Sequence, residues 1–219
     1  MLFYHLIVLD ASGSMTCIRQ NALSGCNETI QSIVSLQKKA NGEHQHFLSL
    51  VTFNSDEVTH IIYDKMPIEQ VKELTLENYV PTGCTPLYDS LGLSMNTLNS
   101  TMDKTQQHSV LVTVITDGLE NASKLFSAEQ IRRQVEEYKQ SGWTFAFIGA
   151  NIDEVTEAGK LGIQNSLRFE QNEKGTAKMF ARYAASLGKH CAAEVEAACG
   201  NVAPEEVNAR RQHRFFNFH

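Results

Sequence analysis

The sequence predicts an α/β fold: a doubly wound, mainly parallel central sheet flanked by helices, with one antiparallel edge strand. Three observations carry this. Short runs that are almost wholly apolar or β-branched recur along the chain, as strands covered on both faces require. Segments with helical apolar spacing separate them, and repeated β–α units build parallel sheets. The 219 residues, 42% hydrophobic and 20% charged, suffice for one substantial core.

The elements follow in order. Residues 3–9 are an apolar run of strand length. Residues 18–40 carry Ile18, Leu23, Ile30, Ile33, Val34 and Leu36 at helical intervals. FLSLVTF (47–53) reads as a strand, and EVTHIIY (57–63) as its hairpin partner across Asn54-Ser55-Asp56. A short helix is expected at 68–74. PTGCTP (81–86) is a loop, with Pro86 in the first turn of a helix reaching about Met102.

SVLVTVIT (109–116) is a buried strand. Ser127 caps a helix to about Gln140, with Glu129 and Gln130 in its first turn and Gly142 just beyond its end. Residues 143–148 form another buried strand, with Trp143 in the core. A helix near 153–161, a strand at 166–169 and a helix from about Glu173 complete the alternation. Residues 1–187 are read as the α/β domain. Residues 188–219 are read as a helical extension whose last stretch, RRQHRFFNFH, is a mobile tail.

Composition removes several functions. The net charge of −6, from 19 basic and 25 acidic side chains, argues against nucleic-acid binding. No apolar stretch approaches the roughly 18 residues that span a bilayer, and residues 1–9 lack the basic leader of a signal sequence. Cys17, Cys26, Cys84, Cys191 and Cys199 are odd in number and form no CxxC pair. Reduced thiols and a cytoplasmic location are therefore expected.

The chemistry sits in three loops at the carboxyl edge of the sheet, where such folds bind ligands. LIVLDASGSM presents Asp10, Ser12 and Ser14 after an apolar strand, GCTPLYD presents Thr85, and SVLVTVITDG ends in Asp117. Two carboxylates and three hydroxyls suit a hard cation such as Mg2+, with Mn2+ or Ca2+ as alternatives.

With DxSxS, TPLYD and TDG in this order, the chain resembles von Willebrand factor A (vWA) domains that carry a metal-ion-dependent adhesion site, a Rossmann-like fold. The resemblance covers roughly residues 1–187. TPLYD and TDGxEN make it most similar to stand-alone bacterial members, including the tellurium-resistance-associated type. The resemblance implies that Ser12, Ser14 and Thr85 ligate the metal while Asp10 and Asp117 act mostly through waters. It further implies a metal-dependent protein-interaction module, not an enzyme, whose partner offers an Asp or Glu carboxylate to the ion. Asp89, Glu120, Asn121 and Asn151 are expected to line a partner-binding rim, although Asp89, Glu120 and Asn121 have ordinary capping or loop roles open to them; Asp153 is more simply a helix cap.

The competing enzyme reading is a Mg2+-dependent phosphoryl-transfer hydrolase of the haloacid dehalogenase type. It requires DxD, and Ser12 stands at the second acidic position, where a hydroxyl cannot act as general acid/base near neutrality. No GxSxG, P-loop or GxGxxG occurs. His44 and His46 are expected to be solvated loop residues. Cys17 and Cys84 are expected to be small apolar fillers.

Overall fold

The computed structural model describes residues 1–150, 154–200 and 202–216. Strand β1 (Leu2–Asp10) is buried along its whole length. It pairs in parallel with β2 (Gln45–Phe53) on one side and β4 (His108–Thr116) on the other. Beyond β2 lies β3 (His60–Pro67), the antiparallel edge. Beyond β4 lie β5 (Thr144–Ala150) and β6 (Asn165–Phe169), both parallel. The order is β3-β2-β1-β4-β5-β6. The chain thus starts at the centre, winds to one edge and then crosses to build the other half. The switch point falls between β1 and β4.

Side chains alternate across a strand, and β1 shows the result. Phe3, Ile7 and Leu9 pack beneath α1 (Arg19–Lys39) and α5 (Glu173–Ala198). Leu2, Tyr4, Leu6 and Val8 pack on the other face with residues of α2 (Leu87–Thr101), α3 (Ala128–Gln140) and the segment around α4 (Glu154–Lys160). Trp143 is in this second core. Helix α3 begins with the capping box that Ser127 and Gln130 predict, and Gly142 beyond its end takes φ 86°. Among the described residues, no helix is long and apolar enough to cross a membrane.

Several expectations are corrected. Residues 68–74 form only a 3-10 turn at Ile68–Gln70. Asn27 holds the following chain extended by donating to Leu74 O (3.0 Å) and accepting from Leu74 N (2.7 Å), so a tertiary contact replaces local helix bonds. The edge strand starts at His60 rather than Glu57, because the Asn54 side chain accepts from the backbone N–H of both Asp56 and Glu57 and prolongs the turn. His46 is not solvated but buried inside β2, which begins earlier than its apolar run suggests. Cys17 and Cys84 are exposed thiols rather than fillers.

The stretch expected to be a mobile tail is described as far as residue 216, and that part packs on the domain. Helix α6 (Pro204–His213) docks through Arg211, whose guanidinium grips the buried Glu194 carboxylate at 2.8 and 2.6 Å. Phe215 then enters the core, and Asn165 accepts its N–H at 3.1 Å. Helix α5 runs unbroken across residues 187 and 188.

The buried histidines make stability sensitive to acid. Burial is the main force holding His46 down to about 4, and it also lowers His5 and His190. Unfolded histidine titrates near 6.5 (about), so between these limits the unfolded chain binds more protons. Stability should be fully present above pH ~6.5 and lost as pH falls toward ~4. Thermal melts between those limits should show a steep fall in Tm, and His46→Phe should flatten it.

Candidate metal centre

The switch point brings the ends of β1 and β4 together. Asp10 closes β1 with its side chain fully buried. Its Oδ1 accepts from Ser12 N at 2.6 Å, and its Oδ2 accepts from the Thr116 hydroxyl at 2.6 Å. The following loop is fastened on both sides. Ala11 N donates to Phe53 O, Thr82 N to Ala11 O, and Gly13 N to Gly83 O. Gly83 sits at φ 67°, and a Cβ there would lie 2.4 Å from Ser55 Oγ, so this crossing needs glycine. The buried Tyr79 hydroxyl donates to Asp10 O at 2.8 Å.

The other oxygens converge on this carboxylate. Ser12 Oγ lies 3.1 Å from Ser14 Oγ, which donates to Asp117 Oδ1 at 2.6 Å. Thr85 comes from the turn before α2. A point placed as a Cβ on Gly118 would lie 3.2 Å from Thr85 Oγ1, 3.8 Å from Ser14 Oγ and 3.9 Å from Asp10 Oδ2. The three loops therefore share one small space. Gly118 leaves it open, since any side chain at 118 would project among those oxygens. Ser12, Thr85, Asp10 and Asp117 are buried, whereas Ser14 is exposed and marks the side facing solvent.

This set fits a hard cation on three counts. All the donors are oxygen, as Mg2+ and Ca2+ prefer. Burial pushes Asp10 up to about 6 against the opposing hydrogen bonds of Thr116 and Ser12, and burial likewise raises Asp117. Among the described residues no basic side chain is paired with either acid. Two buried acids without a cation are unfavourable, and an ion between them would reverse that balance.

The residues expected at the rim make hydrogen bonds of their own. The Asp89 carboxylate is buried and accepts from the backbone N–H groups of Lys124, Leu125 and Phe126 at 2.7 to 2.9 Å. Glu120 accepts from Tyr88 N, Ala122 N and Ser123 N and from the Ser123 hydroxyl. Asn121 accepts from Thr85 N at 2.8 Å and donates its own N–H to Thr85 O at 3.2 Å. These bonds tie the loops together behind the oxygens; Asp89 is buried, whereas Glu120 is half-buried and Asn121 exposed. Asn151 and Asp153 lie outside the described residues.

Sequence reasoning missed three contributors. By sequence Thr116 reads only as the end of a strand and Gly118 only as part of TDG. Gln171, after β6, donates its amide to Asp117 Oδ2 and, at 3.3 Å, to Ser14 O. Nothing near Gln171 in the sequence signals that contact.

Known proteins agree with this architecture. No curated protein matches the chain. Among solved structures, the vWF domain of the type V pili tip protein Mfa5 from Porphyromonas gingivalis aligns with TM-score 0.58 and 11% identity over 84% of this chain and 94% of that one. The pilus adhesin SpaC from Lactobacillus rhamnosus GG aligns with TM-score 0.58 and 14% identity over 85% of this chain and 30% of that one. Proximal thread matrix protein 1 from the mussel byssus, in a form with a zinc-occupied MIDAS motif, gives TM-score 0.55 and 13% identity over 82% of this chain. The chain spans 44% of that mussel protein's length. At these identities the likeness is one of fold. The family model for the von Willebrand factor type A domain matches residues 6–180, a span that holds all five converging oxygen donors, and the chain belongs to this family.

Proposed function

We propose that Asp10, Ser12, Ser14, Thr85 and Asp117 hold a divalent cation, Mg2+ first, and that the chain uses it to bind a protein partner through an acidic side chain. vWA domains are generally non-enzymatic interaction modules, often metal-dependent. The supporting observation is the meeting of Thr85 Oγ1, Ser14 Oγ and Asp10 Oδ2 around the space that Gly118 leaves open. The bound ion would supply one strong, directional coordination position for a carboxylate from outside.

The chain's own residues prepare that position. Three of the five donors are neutral hydroxyls, which leave a divalent charge only partly quenched. Asn121 fixes Thr85 through both backbone groups, and Thr116 and Ser12 orient Asp10. Preorganised donors leave only the partner to be ordered on binding. The exposed face at Ser14 is the approach. A cytoplasmic location and kinship with the tellurium-resistance-associated type belong to the same proposal, the latter resting on TPLYD and TDGxEN. The haloacid dehalogenase alternative is not favoured: Ser12 stands where it needs an acid, and the family match is to a different domain.

Millimolar Mg2+ or Mn2+ should raise Tm, because a ligand that binds only the folded state stabilises it by mass action, by about 2.7 kcal/mol at one hundred times Kd. Thr85→Ala and Asp117→Ala should abolish the gain while the metal-free protein stays folded. A pull-down with and without EDTA, with Ser12→Ala as control, reads the partner. A melting curve indifferent to metal, or a partner retained equally in EDTA, would refute the proposal.

A further inference from the structure

A second set of donors lies far from Asp10, beneath α5. One ligand atom each of His5 in β1, His46 in β2 and Cys191 in α5 can be chosen so that all lie within 4.8 Å of one another. All three residues are buried. His5 is five residues before Asp10 on the same strand, a separation of about 17 Å, so the two sets do not share an ion.

The ordinary explanation, a histidine pair satisfied within the core, leaves a remainder. His5 Nε2 and His46 Nδ1 are 3.0 Å apart, with their rings coplanar within 3°, and share one proton. That bond uses only one nitrogen of His5. Its Nδ1 is buried with no hydrogen-bond partner, and so is Nε2 of His190, next to Cys191. Buried polar atoms are rarely left so, and with no partner on Nδ1 nothing fixes which nitrogen of His5 carries its proton, leaving Nε2 free to ligate.

We propose that His5, His46 and Cys191 form a closed site for one soft monovalent cation, Cu(I), separate from the oxygen site. Thiolate and imidazole are ligands that soft metals prefer, and the oxygen donors that suit Mg2+ are missing from the trio. Charge selects among the soft metals. One thiolate and two neutral imidazoles leave a monovalent ion uncharged overall, whereas a divalent ion would keep a net positive charge in a dry interior. Ligand number agrees, because structural zinc sites take four protein ligands and this trio offers three.

On binding, the Cys191 S–H bond breaks, its proton leaves to solvent and a sulfur–copper bond forms. The His5–His46 hydrogen bond opens, the proton it held moves to the other nitrogen of the ring that carried it, and each imidazole then gives the lone pair of its facing nitrogen while keeping one N–H on the other. No atom changes oxidation state. Bonds of about 2.0 Å to nitrogen require the facing nitrogens to part by roughly half an ångström. Burial keeps both imidazoles uncharged near neutrality, so protons do not compete there. The thiol, which burial pushes up, must lose its proton, so uptake should strengthen as pH rises.

The test uses the full chain with the exposed Cys17, Cys84 and Cys199 changed to serine, titrated anaerobically with Cu(I) held by bathocuproine disulfonate. The protein should take one equivalent, and X-ray absorption should show one sulfur and two nitrogens around copper. Adding His46→Gln should weaken uptake at least tenfold while circular dichroism stays native and the Mg2+-dependent rise in Tm persists. Should His46→Gln fail to fold, the absorption spectrum of the parent still decides. No copper uptake, a shell of sulfur alone, indifference to His46→Gln, or equally tight binding of one Zn2+ would each overturn the assignment.

Discussion

Replacing Asp89 with alanine is expected to lower stability by about 3 kcal/mol, because it strips the acceptor from three backbone N–H groups at once. For a chain of this size that is a fall in Tm of roughly 6–12 °C. The three donors belong to Lys124, Leu125 and Phe126, the segment leading from the Asp117 loop into α3. The backbone N–H of Asp89 also donates to Ser123 Oγ at 3.1 Å, a bond the substitution leaves in place. Asp89→Asn keeps one carbonyl oxygen and should lose only about a third as much. Partner binding separates the two readings of this residue. If Asp89 touched the partner, Asn would abolish binding at unchanged Tm; as a loop anchor, it should affect binding only as far as it affects stability.

The second large effect is expected at Gly25, in the first half of α1. A Cβ there would sit 1.9 Å from Phe180 Cδ2 in α5, far inside contact distance. Phe180 is buried and cannot swing into solvent. Gly25→Ala should therefore cost about 3 kcal/mol through overpacking, even after the roughly 1 kcal/mol that alanine returns in helix propensity. Gly25→Leu should not fold. Pairing Gly25→Ala with Phe180→Leu should recover part of the loss, a coupling of about 1 kcal/mol or more by double-mutant cycle. Denaturant titration of the four proteins measures it, and a Gly25→Ala change within about 0.5 kcal/mol would mean that α1 and α5 are not locked at this point.

Gly25 also shows where local reading stops. Its place in the helical run of residues 18–40 is evident, yet nothing in that run says that α5 crosses there. The same limit explains the other corrections. The short helix at 68–74 was plausible by local pattern, but the Asn27 amide, more than forty residues away, takes up the backbone of Leu74. His46 looked like a loop residue because the apolar run begins after it; parallel pairing with β1 extends the strand back to Gln45. The tail carries few apolar residues, yet Phe215 finds a core position once Arg211 reaches Glu194.

Short-range chemistry was enough for the strands, most helices, the antiparallel edge and the order of the oxygen-bearing loops, because apolar periodicity and turn residues act over a few positions. It also singled out Asp10, Ser12, Ser14, Thr85 and Asp117 as oxygen-bearing residues of the loops that follow β1, precede α2 and follow β4. Only the packed chain decided that Asp89 is buried against the segment before α3, that Glu120 and Asn121 brace neighbouring backbone, that Gly118 keeps the space clear, that Gln171 reaches Asp117, and that two histidines and a thiol meet beneath α5. Those facts depend on which distant segments become neighbours. Burial and hydrogen-bond satisfaction settle that for the molecule as a whole, and no window of sequence contains it.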